Sequence, residues 1–176
     1  MLRKVLFAAV LALLPAAVAR AQFNAGDWEF SVGGTGANGP DFNGTTFAVN
    51  GNLGYFLSKE FEIGIRQSVG YSDINTGGGT GGNAWSASTR AAIDYHFDLG
   101  RWQPYVGLNI GYVYGDSVRD TWEAAPEAGV KFFVNSTTFI QFNAEYQFFF
   151  DSHSNGREAF SNGEFVYGLN IGFKWH

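Results

Sequence analysis

The sequence contains no cysteine among its 176 residues. That absence removes disulfide frameworks, thiolate-bound zinc and cysteine nucleophiles together. Charge is scarce as well: Asp, Glu, Lys and Arg make up 15% of the chain, with 16 acidic residues against 11 basic and a formal net charge of −5. Phosphate binding needs a clustered excess of Lys and Arg, so this balance argues against a nucleic-acid partner. In their place stand 24 glycines and 18 phenylalanines, with aromatic residues at 18%. So much aromatic and glycine with so little charge disfavours both a disordered chain and a helical bundle. The length suits one domain with a sizeable core.

The first residues read as an address. Arg3 and Lys4 precede an apolar run from Val5 to Val18, which ends at Ala19-Arg20-Ala21. A charged start, a short apolar stretch and a small-x-small end describe a secretory signal peptide cleaved after Ala21. The run falls short of the ~20 residues that a spanning helix needs. Residues 1–21 are therefore expected to be removed and 22–176 to form one domain beginning at Gln22. Losing Arg3, Lys4 and Arg20 takes the formal charge to −8. Nothing after Ala21 is apolar for long enough to cross a membrane as a helix.

The remaining chain alternates in steps of two. In the segment Phe61–Tyr71, Phe61, Ile63, Ile65, Val69 and Tyr71 share one parity and Glu62, Gly64, Arg66, Ser68 and Gly70 the other. Side chains on a strand alternate faces, so this segment has one greasy face and one polar face. The split recurs in seven further segments, near Gly26–Thr35, Thr45–Phe56, Trp85–Phe97, Pro104–Tyr114, Trp122–Val134, Thr138–Phe150 and Phe165–Trp175. Their lengths are close to the ~9–11 residues with which a tilted barrel strand crosses a bilayer.

The polar face decides the architecture. A soluble barrel points its large apolar side chains inward. Here the polar parity is rich in Gly, Ser and Asn and carries charges of both signs at mid-strand, which suits a cramped interior with the aromatic face turned to lipid. The links near Ser58-Lys59, Asp98-Leu99-Gly100 and Asn135-Ser136 are short, while those at 36–44, 72–84, 115–121 and 151–164 are long and rich in Gly, Asn and Asp. Such alternation fits an even-stranded barrel with a periplasmic N-terminus and extracellular long loops. Trp28, Trp102 and Trp175 fall near one rim and Trp85 and Trp122 near the other, as membrane-interface rings do. Pro126 lies on the lipid-facing parity, where it removes a ladder donor and predicts a bulge or a weak pairing.

The segment PYVGLNIGYVYGD, the segment PEAGVKFFVNSTTFIQFNAEYQFFFD and the ending VYGLNIGFKW resemble the small eight-stranded outer-membrane β-barrel proteins of Gram-negative bacteria. That superfamily includes the membrane domain of outer membrane protein A. The resemblance implies an all-β fold, an eight-stranded antiparallel up-and-down transmembrane β-barrel, in the bacterial outer membrane with its lipid and lipopolysaccharide. It also implies insertion by the barrel-assembly machinery, which reads an aromatic carboxy-terminal residue; here Trp175 takes that place and His176 follows it.

The inward parity gathers Glu29, Glu62, Arg66, Arg90, Asp94, His96, Glu123, Glu127, Lys131, Glu145 and Lys174. Arg66 and Arg90 lie near mid-strand on neighbouring strands, with Asp94, Glu127, Lys131 and Glu145 within reach across the lumen. Buried charge is costly unless paired and hydrogen-bonded, so these residues predict a salt-bridge network plugging the interior. An open aqueous channel takes about 16 strands, which disfavours a large-solute porin. A gate or proton path is the sharper alternative.

One constellation points to an enzyme. Ser152-His153-Ser154-Asn155-Gly156 with Glu164 downstream is similar to the His-x-Ser-Asn and later Glu of the outer-membrane lipid A 3-O-deacylases. A triad of Ser154, His153 and Glu164 would make the hydroxyl nucleophilic. However, His153 and Ser154 are adjacent and face opposite ways on an extended strand, and Ser152 stands where the family has His. The glycine-rich run Thr76–Asn83 has no following Lys, so it is no phosphate loop. Asn135-Ser136-Thr137 reads as a hairpin rather than a glycosylation site. His96, His153 and His176 lie on separate segments, and no metal or cofactor is expected. The reading is thus a non-enzymatic monomeric barrel serving envelope integrity or surface interaction. The alternatives are a lipid A-modifying hydrolase and a narrow channel or small-molecule carrier.

Overall fold

The structure is a computed structural model that describes residues 23–38, 45–74, 82–116, 120–150 and 163–176. Eight strands follow one another: β1 (Trp28–Asn38), β2 (Thr45–Phe56), β3 (Phe61–Ile74), β4 (Gly82–His96), β5 (Trp102–Gly115), β6 (Thr121–Phe133), β7 (Thr138–Phe150) and β8 (Glu164–Trp175). Each pairs antiparallel with its sequence neighbours, and β1 pairs with β8 to close the barrel. Closure removes the exposed edges that an open sheet would leave.

Strand parity sorts the side chains as the alternation requires. Ile63, Ile65 and Val69 of β3 are exposed on the outside, Ile65 by 60%, while Glu62 and Arg66 are buried inside. The outer wall presents Phe30, Leu53, Ile93, Leu108, Ile110, Phe142, Leu169 and Ile171. Fully burying one such side chain is worth roughly 1.5–3 kcal/mol, so a continuous apolar belt of this kind belongs in hydrocarbon rather than in water.

The short connections are set by their polar residues. Ser58 Oγ accepts the N–H groups of Glu60 and Phe61 at 3.2 and 3.1 Å. Asn135 Oδ1 accepts those of Thr137 and Thr138 at 2.9 and 2.8 Å. Asp98 Oδ1 accepts that of Gly100, whose φ of 74° an L side chain rarely adopts. These side chains stand in for ladder partners where the strands reverse.

Several boundaries differ from those the sequence predicts. β1 continues to Asn38, β3 to Ile74, and β4 begins at Gly82 rather than Trp85. The pairs Ile74↔Gly82 and Ser72↔Ala84 extend the β3–β4 hairpin beyond its apolar alternation, because ladder bonds do not require large side chains. At Pro126 there is no bulge. The β6–β7 ladder omits pairing at Ala125 and Pro126, yet Ala124↔Phe148 and Glu127↔Glu145 keep one register on either side. The expected signal peptide at 1–21, His153 and Ser154 lie outside the described residues.

Candidate functional site

The barrel interior is a stack of side-chain layers. At the end carrying the short turns, Phe56 closes β2, Phe133 closes β6 and Phe139 is the second residue of β7, all pointing inward and fully buried. Phe23, which precedes β1, lies among them and is 1% exposed. It stacks on Phe56 with ring centroids 3.8 Å apart and planes 10° from parallel, and meets Phe133 edge-on at 5.2 Å.

Directly inside this aromatic floor sits Lys131. Its ammonium donates to Glu29 Oε2 at 2.5 Å and Glu62 Oε2 at 2.8 Å. The rings of Phe23, Phe56, Tyr105 and Phe139 surround it at 5.1–5.5 Å from their centroids, within the range of cation–π attraction. Asn52 Nδ2 donates to the other oxygen of Glu29 at 2.9 Å. His96 Nε2 lies 2.8 Å from Glu62 Oε2. Gly54 faces Glu29 and Glu62, and a Cβ there would collide with both side chains.

The middle of the lumen belongs to the arginines. Arg66 and Arg90 are register partners on β3 and β4, an arrangement that places like charges side by side. They diverge. Arg66 donates to Asp94 at 2.6 Å and to Glu127. Arg90 donates to Glu145 at 2.5 Å, and its Nε lies 3.7 Å from Glu123. Asn109 Nδ2 and Gln147 Nε2 donate to Glu145 at 2.8 and 2.9 Å. Tyr105 OH accepts from Gln141 at 2.6 Å. A forked guanidinium can hold two carboxylates at once, which makes Arg suited to cross-linking facing walls.

Six carboxylates (Glu29, Glu62, Asp94, Glu123, Glu127 and Glu145) are buried in the strands against Arg66, Arg90 and Lys131. The lumen is therefore richer in acid than in permanent cation. Glu62, Asp94 and His96 each place a donor atom within 4.8 Å of the others, a set that suits a divalent metal by chemistry alone. Lys131 and Arg66 hold Glu62 and Asp94 at 2.8 and 2.6 Å, so a metal ion there would compete with these protein cations for the two carboxylates.

The structure divides the predicted luminal residues into two groups. Arg66, Asp94 and Glu127 meet, with Arg90 and Glu145 beside them. Lys131 does not join the arginines' carboxylates but pairs with Glu62 and with Glu29. The aromatic floor and Tyr105 escape a reading that stops each alternation at its apolar residues. Their signal was the same parity carried further: Phe56 follows Asn52 and Gly54, Phe133 follows Lys131, and Phe139 precedes Gln141. Phe23 has no such signal because it lies outside every strand. Glu164 begins β8 opposite Gln147; its candidate triad partners His153 and Ser154 fall outside the described residues.

The N-terminal turn is tied to the seam where β1 meets β8. Asp27 accepts from Lys174 Nζ at 2.8 Å and lies 3.1 Å from His176 Nδ1, while its Oδ2 accepts the Asn24 N–H at 2.9 Å. Burial opposes ionisation of Asp27, but Lys174, the Asn24 N–H and His176 together outweigh it and hold the carboxyl below the usual carboxylate range.

Comparison with known proteins agrees with this geometry. OprG of Pseudomonas aeruginosa is 14% identical over 89% of this chain and 99% of its own, with a TM-score of 0.65. Ail, the attachment invasion locus protein of Yersinia pestis, is 14% identical over 85% and 99%, with a TM-score of 0.59. The N-terminal barrel domain of Pseudomonas aeruginosa OprF is 19% identical over 84% and 97%, with a TM-score of 0.53. At such identities the likeness is one of fold. No curated protein matches the sequence. The model of the outer membrane protein beta-barrel domain matches residues 6–176. A closed eight-stranded barrel with an apolar outer wall and a charged, filled interior, matched by that model over nearly its whole length, belongs to the bacterial outer-membrane β-barrel family.

Proposed function

We propose that the protein is a non-enzymatic, monomeric scaffold of the outer membrane whose closed barrel supports envelope integrity and surface contacts through its long connections. The carrying observation is the lumen. Buried ion pairs and aromatic rings cross it from the short-turn end to mid-barrel, and breaking such pairs is costly. In this reading the short turns and the N-terminus face the periplasm, and the segments 39–44, 75–81, 117–119 and 151–162 join the strands outside the cell. Membrane lipid and lipopolysaccharide surround the belt, and the barrel-assembly machinery inserts the chain.

Charge narrows the surface partner. Ail has been solved in complex with the heparin analogue sucrose octasulfate. Here the long segments carry Arg119 and Arg157 against Asp41, Asp151 and Glu158, so they offer no basic cluster for a sulfated polyanion. Neutral or cationic partners fit them better. In the narrow-channel alternative, the excess of luminal carboxylates would make the conductance cation-selective.

The test is a strain lacking the gene, complemented with wild type or with Ser154→Ala. Loss should raise sensitivity to detergent, and both complements should restore it with lipid A unchanged by mass spectrometry. A complement that fails only as Ser154→Ala, with acyl groups lost from lipid A only in the wild type, would establish the hydrolase instead.

A further inference from the structure

The aromatic floor differs from the rest of the lumen in one respect: its central ring does not come from the wall. Phe56, Phe133 and Phe139 are strand residues, but Phe23 reaches them from the segment ahead of β1. Between Phe23 and Trp28 the chain makes a tight hook. Gly26 adopts a φ of 91°, Asp27 N–H donates to the Asn24 carbonyl at 3.1 Å, and Gly26 N–H donates to the Phe56 carbonyl at 2.8 Å. Phe56 N–H in turn donates to the Asp27 carbonyl at 2.9 Å. The hook is thus fastened to the end of β2, and the Asp27 carboxylate fastens it to Lys174 and His176 at the end of β8.

We propose that Phe23–Asp27 is a stopper seated in the short-turn mouth of the barrel. Its Phe23 ring keeps water from the Glu29–Lys131–Glu62–His96 cluster, and its withdrawal opens that mouth to small solutes. The inference rests on the reading of the interior as closed and adds the part that closes this end. Its logic is electrostatic as well as steric. Lys131 Nζ sits 5.1 Å from the Phe23 ring centroid on the lumen side, and Lys174 Nζ sits 5.6 Å from the same ring. The ring therefore lies against two cations, each attracted to its π-electrons. A polar side chain at position 23 would lose those contacts and the stacking on Phe56. A wall residue could not be withdrawn without breaking a ladder, whereas the hook holds by a few hydrogen bonds and one carboxylate. Such a segment opens locally at far lower cost than a strand.

The absence of native cysteine makes access measurable. Ser31 is a small luminal residue, 1% exposed and one inward position beyond Glu29 on β1. Ser31→Cys should be nearly inert to a small water-soluble methanethiosulfonate reagent in the folded protein. Combining it with Phe23→Ala should speed labelling by about tenfold or more, because access follows how often the covering structure opens. Combining it with Asp27→Asn, which keeps every ring and removes the carboxylate's charge, should give an intermediate rate. Asp27→Asn also carries the test if Phe23→Ala does not refold. Heat-modifiable migration on gels verifies that each variant is a folded barrel. Unchanged slow labelling in folded Phe23→Ala and Asp27→Asn backgrounds would overturn the stopper while leaving the closed lumen standing. Rapid labelling of Ser31→Cys alone would overturn both.

Discussion

Replacing Lys131 with Met removes the only cation that touches both Glu29 and Glu62 among the described residues. The side chain is 1% exposed and its ammonium lies 2.5 and 2.8 Å from the two carboxylates. Met matches the length and apolar stem of Lys, so packing against Phe23, Phe56 and Phe139 is largely kept and the perturbation is electrostatic. Breaking a buried pair by removing one partner costs about 3–5 kcal/mol, because the other charge is left uncompensated. Here two carboxylates lose the same partner, though Glu62 keeps His96 and Glu29 keeps Asn52. Those remaining partners recover part of the loss, which places Lys131→Met near the lower end of that range. The assay is urea unfolding of refolded protein in lipid vesicles, followed by tryptophan fluorescence. Adding Glu29→Gln to Lys131→Met should return part of the loss, since an amide tolerates burial far better than an unpaired carboxylate. Stability of Lys131→Met within about 1 kcal/mol of wild type, the ordinary scale of an exposed ion pair, would refute the reasoning that the lumen is dry and its pairs buried.

Three further outcomes follow from particular contacts. Asp27 has a folded pKa below its unfolded value of about 3.9, so its contribution is fully present above that unfolded value and vanishes as pH falls through the folded one. Asp27→Asn should therefore destabilise at pH 7 by roughly the lower end of the 1.5–3 kcal/mol scale of a hydrogen bond to a charged group, and by less as pH falls below the unfolded value, measured by urea unfolding at pH 7 and pH 2. A Cβ at Gly129 would collide with the Tyr105 ring and the Phe142 carbonyl; Gly129→Val should abolish the heat-modifiable folded band, while Tyr105→Phe alone, losing only the hydroxyl bonded to Gln141, should retain it. Pro126→Ala should leave the register intact and strengthen the β6–β7 pairing, seen as slower amide exchange at Tyr146, the position opposite residue 126; unchanged exchange would mean that proline is not what interrupts the ladder.

Much of this molecule is legible in its sequence because a barrel wall has two solvents. Lipid outside and a narrow polar lumen inside force a period of two on every strand, so Ile63, Ile65 and Val69 separate from Glu62 and Arg66 without reference to any partner. Luminal candidates were therefore readable strand by strand. Their pairing was not. Whether Glu127 meets Arg66 or Arg90 depends on how far adjacent strands are staggered around the barrel, a property of all the registers together. The aromatic floor was hidden for a different reason. Phe56, Phe133 and Phe139 are apolar residues on the polar parity, which a sorting by hydrophobicity discards as strand ends. Phe23 belongs to no strand at all, and only the hook at Gly26 brings it under the barrel.

The account's central claim is that buried ion pairs and rings close the lumen, and single-molecule conductance of refolded wild-type protein in a planar bilayer tests it most directly. Protein verified as folded by heat-modifiable migration should be electrically silent at neutral pH. Stable, discrete conductance steps from the wild-type barrel would contradict it.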